Sequence, residues 1–407
     1  MLAPDSVRII RATADTVARH GAEITGRFYR RLLTAHPELL DLFNRGNQAT
    51  GVQRQALAAS VAAVAGHFAG LGPVPLTAVI SRIAHKHASL GVAPAQYLVV
   101  GRHLMAAIRE VLGDAATPDV IAAWDEVYWL FACLLVAEEA RLYQGAGNDF
   151  GRPFSTHVVT GVERETQDVL SLRLRPVDGP PPVHRPGQYV SVAVTLPDGG
   201  RQVRQYTISS PPGEDDLRIT VKRHRAADDR PAGEVSPLLH GVTPGTRLAV
   251  SPPFGDAVLP ADDRPLLLVG AGVGTTPVVA TLLDLARRDD PRPVTVVHAD
   301  RAPAAHALRA DLFAAVEHLP TASLLLWYEN GRPTSLPPRT EIAAGLIDPD
   351  LIPVEPGTRV LLCGPLPFMR IVRRALLDRG VAATDIRYEV FGPDAWLGRE
   401  TPTPTTA

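Results

Sequence analysis

Apolar residues recur every three or four positions through the first third of the chain, the period of an amphipathic helix. Gln53, Leu57, Val61, Val64 and Phe68 share one face. Leu76, Val79, Ile80, Ile83 and His87 share a second, and Tyr128, Phe131, Leu135, Glu139 and Leu142 a third. Each stripe carries a polar residue where it should face a core: Gln53, His87 or Glu139. Past residue 150 the pattern becomes short strand-like runs, such as 189–194, 205–209 and 217–222, broken by Pro and Gly. These predict a β-barrel of about six strands. From Arg264 onward, strand-like runs at 266–269, 294–298, 323–328 and 360–363 alternate with helix-like runs at 277–288 and 304–318. That alternation predicts a parallel α/β sheet.

Proline sharpens the division. Residues 1–145 hold 6 of the 38 prolines, and helix interiors tolerate proline poorly. The expected architecture is multidomain: an all-α domain over 1–145, an antiparallel β-barrel over 152–261, a parallel α/β domain over 262–399, and a disordered tail over 400–407. Residues 144–148 read as the linker.

Composition narrows the functional classes. With 45% hydrophobic and 21% charged residues, the 407-residue chain can bury ordinary cores. A net charge of −2 gives no basic excess to suggest nucleic acid or an anionic membrane. Two cysteines, Cys133 and Cys363, exclude a disulfide framework and fit a reducing compartment. Asp5 and Arg8 argue against a signal peptide. The uninterrupted apolar run at 129–137 falls short of the ~20 residues of a membrane span. A soluble, cytoplasmic protein is expected. Arginine outnumbers lysine 39 to 2, which draws attention to Lys86 and Lys222.

His87 on an apolar helix face is either a core histidine bonded to a carbonyl or an axial haem ligand. A haem needs a proximal His on one helix and a lined distal face on another. Gln53 and Leu57 lie on a separate apolar-faced helix, with Phe43 and Tyr29 upstream. His85 points about 200° away from His87 and cannot reach the same iron.

The segments Phe28-Tyr29, Leu42-Phe43-Asn44, Gln53-Arg54, Lys86-His87, Gln96-Tyr97 and Glu139 resemble, in order and spacing, the globin domain of flavohaemoglobins. The resemblance implies haem b with His87 as proximal ligand. It makes Tyr29, Gln53 and Leu57 distal residues, packs Phe43 on the porphyrin, and sets Tyr97 and Glu139 behind the proximal imidazole. Glu138 is adjacent, so a one-residue slip would exchange the two carboxylates. Lys86 is either solvated or a charge linking the haem and flavin domains, with Glu389 as its partner. Cys133 reads as packing.

The rest of the chain resembles the ferredoxin–NADP⁺ reductase-like module of the same family. Pro186-Gly187-Gln188-Tyr189 followed by Arg204-Gln205-Tyr206-Thr207 resembles its flavin motif. This implies Arg204 on the pyrophosphate, Tyr206 on the isoalloxazine and the Thr207 hydroxyl near flavin N5, with Tyr189 and Gln205 alongside. Gly233-Glu234-Val235-Ser236 is a pyrophosphate turn or a helix cap by Ser236. Gly270, Gly272, Val273, Gly274, Thr275, Thr276 and Pro277 form a Gly-rich turn after a strand, and Cys363, Gly364 and Pro365 match a second nicotinamide motif. Glu389 and Phe391 belong to the C-terminal motif, where Phe391 would cover the flavin. Thr207, Thr275 and Val390 stand where the family usually has Ser, Gln and Cys.

The implied activity is nitric oxide dioxygenase: two NO, two O₂ and one NAD(P)H give two nitrate, NAD(P)⁺ and a proton. The partners are then the small molecules O₂ and NO, with no obligate protein partner. Two alternatives use the same parts, a peroxide or ferric reductase and an oxygen-binding or sensing globin with its own reductase. NADH and NADPH stay open, since Asp300-Arg301 offers a carboxylate for a ribose hydroxyl and a guanidinium for a 2′-phosphate.

Overall fold

The computed structural model describes residues 2–43, 51–71, 76–226, 232–392. The chain divides into two compact units: Met1–Pro153 with Pro197–Val203 and the segment from Gly392, and Phe154–Leu196 with Arg204–Phe391. The region expected to form the disordered tail lies outside the described residues.

The first unit is helical. Its α-helices are α1 (Pro4–Arg19), α2 (Gly21–Ala35), α3 (Val52–Phe68), α4 (Leu76–Leu90), α5 (Pro94–Leu112) and α6 (Pro118–Gly145). Prolines begin α1, α5 and α6, where a missing N–H costs nothing. Thr117 caps α6 by accepting from the Val120 N–H. By length and composition α6 is apolar enough to cross a membrane. It serves as a core helix of this unit, burying Ile121, Trp124, Val127, Leu135 and Glu139. Cys133 is exposed, which corrects its reading as a packing residue. Its neighbour Ala132 takes the inward position on that turn.

The second unit holds two six-stranded sheets. The first orders β1 (Ser155–Arg164), β2 (Val169–Pro176), β3 (Tyr189–Thr195), β4 (Arg201–Thr207), β5 (Leu217–Lys222) and β6 (Arg247–Val250) as β4-β3-β6-β1-β2-β5. A short helix α7 (Val235–Leu239) precedes β6. Leu172, Val190, Val192, Ile219 and Val250 are buried in its core. β4 starts at Arg201 rather than Gln205, because polar Arg201 and Gln202 hid the strand's first half.

The second sheet is parallel throughout, ordered β10-β9-β8-β7-β11-β12. Its elements are β7 (Leu266–Ala271), α8 (Thr275–Arg287), β8 (Val294–Asp300), α9 (Arg309–His318), β9 (Ala322–Tyr328), β10 (Thr340–Ala344), β11 (Arg359–Cys363), α10 (Leu366–Asp378) and β12 (Ile386–Glu389). The helix expected from residue 304 begins only at Arg309. Leu308 takes a left-handed conformation (φ 55°), and His306 turns inward to meet the Tyr328 hydroxyl at 2.7 Å.

Gly101 sets the approach of α5 to α6. A Cβ there would run into the Tyr128 ring, whose hydroxyl donates to the Tyr97 carbonyl at 2.5 Å. Gly101→Ala should therefore overpack this contact and cost about 1–3 kcal/mol. Chemical denaturation followed by helical circular dichroism checks this, and an unchanged midpoint would show that the ring yields without penalty.

Candidate haem, flavin and nicotinamide sites

Three helices converge on His87. It stands in α4, Tyr97 in α5 and Glu139 in α6. His87 Nδ1 lies 2.9 Å from Glu139 Oε1 and 2.8 Å from Tyr97 Oη. The Tyr97 hydroxyl donates to the same Glu139 oxygen at 2.5 Å. Burial, and then the charge of Glu139, push the Tyr97 phenol far up, so it remains a donor. An Nδ1–H given to a carboxylate leaves the lone pair on Nε2, the atom a metal would take. Glu139 is fully buried, and its Oε2 has no partner among the described residues. Glu138 instead takes Arg141 as its partner, which separates the two adjacent carboxylates into a surface pair and a buried one.

Tyr29 is buried in α2 and Gln53 half-buried in α3, and the two side chains are hydrogen-bonded. Burial raises the Tyr29 phenol against the opposing effect of that bond. Phe43 meets Tyr29 edge to face, with centroids 5.6 Å apart. Leu57 and Phe43 both pack on the first unit's core. Lys86 donates to the Gly392 carbonyl at 3.0 Å. Gln202, fully buried, donates to the carbonyls of Leu40 and Phe43 at 3.2 Å each. Nothing in the sequence pattern singles out Gln202, because its partners lie about 160 positions away. Tyr143 follows Glu139 by one helical turn and donates to the Ala88 carbonyl at 3.0 Å; that spacing was a usable signal.

In the second unit Tyr189 is buried, and Gly255 (φ 118°) lets the backbone pass beside its ring. Gln205 donates to Ser191 Oγ at 3.4 Å, and Arg204 faces Glu234 with Nη2 3.7 Å from Oε2. Tyr206 packs against the core of the first sheet. The Thr207 hydroxyl is buried with no partner among the described residues. Gly233 is tight against His224, and Ser236 accepts from the His224 N–H at 3.0 Å. Ser236 lies inside α7, next to Val235, so it is not the helix cap.

The nicotinamide motifs meet along one edge. Gly270 pairs with Cys363 and Cys363 with Glu389, all at the C-terminal ends of their strands. Gly272, Val273 and Gly274 form a 3-10 turn leading into α8, where Thr275, Thr276 and Pro277 are buried. A Cβ on Gly274 would lie 2.5 Å from the Cys363 oxygen and 2.7 Å from the Gly364 nitrogen. The Thr275 hydroxyl is buried without a partner among the described residues. Pro365 caps α10. Burial, and then Glu389, push the Cys363 thiol well up, so it is no nucleophile. Phe391 is 48% exposed.

These residues fit the three groups the motifs imply. An imidazole with its Nδ1 held suits haem iron. An orphaned buried hydroxyl at Thr207 suits a flavin edge. A Gly-rich turn at a helix start, with Thr275 unpartnered, suits a dinucleotide.

A globin family profile matches residues 26–132, an oxidoreductase FAD-binding domain profile residues 160–258, and an oxidoreductase NAD-binding domain profile residues 268–374. The chain is 43% identical over 402 residues to a flavohemoprotein of Bordetella pertussis, covering 96% of this chain and 99% of that one. A crystal structure of flavohemoglobin from Malassezia yamatoensis with bound FAD and heme superposes with a TM-score of 0.86. It is 34% identical, with coverage of 96% of this chain and 100% of that one. The FAD/NAD-binding domain of nitric oxide dioxygenase from Vibrio cholerae matches with a TM-score of 0.54 at 32% identity, over 60% of this chain and all of its own.

His87→Ala should abolish the haem Soret band while leaving flavin absorbance and NADH-to-ferricyanide turnover intact. Normal haem incorporation in that variant would remove His87 as the ligand. Gly274→Ala should raise the KM for NADH by about tenfold, since overpacking of about 1–3 kcal/mol acts directly on the turn. Ferricyanide assays across NADH concentrations read this, with the haem spectrum as a control.

Proposed function

The chain belongs to the flavohaemoprotein family, and from that premise we propose that it is a nitric oxide dioxygenase. It is an NAD(P)H-dependent haem oxidoreductase carrying haem and FAD. When bound, NAD(P)H supplies a hydride, FAD splits it into single electrons, and haem supplies the iron at which O₂ and NO combine to nitrate.

The observation that carries the reading is the Glu139–His87 contact at 2.9 Å. A carboxylate accepting from Nδ1 makes the imidazole more electron-donating, which favours oxygen chemistry over reversible carriage. Tyr97 shares that carboxylate and holds its Oε1 toward the ring. On the distal side Tyr29, kept protonated by burial, has a hydroxyl to donate, and Gln53 orients it. Leu57 narrows the space beside them, and Phe43 braces Tyr29. In the second unit Thr207 offers a hydroxyl at the flavin, and the turn from Gly270 to Gly274 offers backbone N–H groups to a pyrophosphate. Residues 1–145, 152–261 and 262–399 are the proposed haem, flavin and nicotinamide portions. Two free cysteines fit a cytoplasmic setting.

The same proximal carboxylate suits peroxide cleavage, so rates with NO and with an alkyl hydroperoxide are compared on one preparation. The dioxygenase reading expects NO-driven NADH oxidation in air to dominate, with two nitrate formed per NADH. Tyr29→Phe should speed O₂ release and cut NO turnover at least tenfold, because a hydrogen bond to a charged group is worth about 1.5–3 kcal/mol. Flash photolysis reads the first and an NO electrode the second. Unchanged O₂ release would take Tyr29 out of the mechanism.

A further inference from the structure

Arg218 lies in β5, outside every redox motif, yet it is only 5% exposed. Its guanidinium joins two separate parts of the second unit. Nε donates to Ser209 Oγ at 3.2 Å and Nη2 to the Ser209 carbonyl at 2.8 Å. Nη1 meets Asp311 Oδ2 at 2.5 Å. The Ser209 N–H returns a bond to the Arg218 carbonyl at 2.7 Å, and the Arg218 N–H donates to Ser210 Oγ at 3.0 Å. Ser209 follows Thr207 by two residues, directly after the flavin strand. Asp311 sits in the first turn of α9, the helix entered from the C-terminal end of β8.

A second tie runs beside the first. Glu165, just past β1, accepts from Ser171 Oγ at 2.5 Å and from the Leu308 N–H at 3.1 Å. Leu308 is the left-handed residue immediately before α9. The start of α9 is thus held to the first sheet twice, by a buried guanidinium and by a carboxylate. Neither contact belongs to the backbone ladder of either sheet. A planar guanidinium with three bonds in different directions also fixes angle, which a lysine could not.

We propose that Arg218 and Asp311 are positioning residues for hydride transfer: they set how the nicotinamide-binding lobe is presented to the flavin strand. In that transfer two electrons and one proton leave the dihydronicotinamide as hydride, and the flavin takes them up with one proton from solvent. Arg218 and Asp311 lie outside the motifs assigned to either group. It acts through Ser209 on one side and the first turn of α9 on the other. A displacement of about 1 Å between reacting atoms can cost about a hundredfold in rate, so a clamp remote from the chemistry has leverage. The proposal rests on the NAD(P)H-to-FAD half of the reaction and is independent of NO chemistry.

The test uses full-length protein loaded with haem and FAD. Asp311→Asn keeps the shape and removes the charge, Asp311→Glu restores the charge, and Arg218→Lys keeps charge without the fork. Anaerobic stopped-flow across NADH concentrations separates the limiting rate of flavin reduction from the Kd for NADH. Asp311→Asn should lower the limiting rate by about tenfold or more with Kd changed by less than about threefold, and Asp311→Glu should recover most of it. The long-wavelength absorbance of nicotinamide stacked on flavin should weaken in parallel. Amide exchange at residues 308–311 of the same loaded protein should rise in Asp311→Asn. If Arg218→Lys fails to retain FAD, Asp311→Asn carries the test alone. A limiting rate within twofold of the parent, or a loss explained wholly by Kd or flavin content, overturns the proposal. Loss of NO turnover with flavin reduction intact would instead count against the dioxygenase reading.

Discussion

A carboxylate sealed inside a helical domain is costly, several kcal/mol even after relaxation, unless hydrogen-bond donors surround it. Glu139 meets that cost with the imidazole of His87 and the hydroxyl of Tyr97, brought by two other helices. The dependence runs both ways. The ring of His87 is turned by the carboxylate, and the protonated state of Tyr97 is secured first by burial and then by the same charge. Tyr128 and Tyr143 then tie α5 and α4 to α6 through backbone carbonyls. These residues therefore form one polar knot across three helices, with Tyr97 and Glu139 buried inside it.

The second unit solves a different problem, the close approach of one backbone segment to another where its parallel strands end. Its answer is glycine where strands end. Gly270, Cys363 and Glu389 stand in register, and Gly274 fits under the Cys363–Gly364 peptide because it lacks a side chain. Motifs far apart in sequence become one edge because parallel strands put all their C-terminal ends on the same side.

Much of this was legible from residue spacing. The helical third, the six-stranded antiparallel sheet and the parallel sheet follow from changes in hydrophobic period, and His87 and Glu139 stood out as polar residues on apolar stripes. What stayed hidden has a common cause. Gln202, Arg218 and Glu165 are polar residues in or just beyond strands, and each has a partner far along the chain, so no local pattern marks them. The late start of α9 was concealed in the same way, since an inward turn of His306 toward Tyr328 is decided by packing. Cys133 was misjudged because one position on a wide helix face shifts a side chain from core to solvent.

Threonine takes the place of the family's usual serine at 207 and glutamine at 275, and both hydroxyls are buried without partners among the described residues. A branched Cβ leaves few staggered choices for χ1. Each hydroxyl therefore sits on a side chain with few rotamers open to it, and a ligand that met it would find little rotational freedom left to remove. Glutamine at 275 would reach farther, at the expense of freezing several torsions. At 275 this chain therefore carries a shorter and stiffer side chain than glutamine would give.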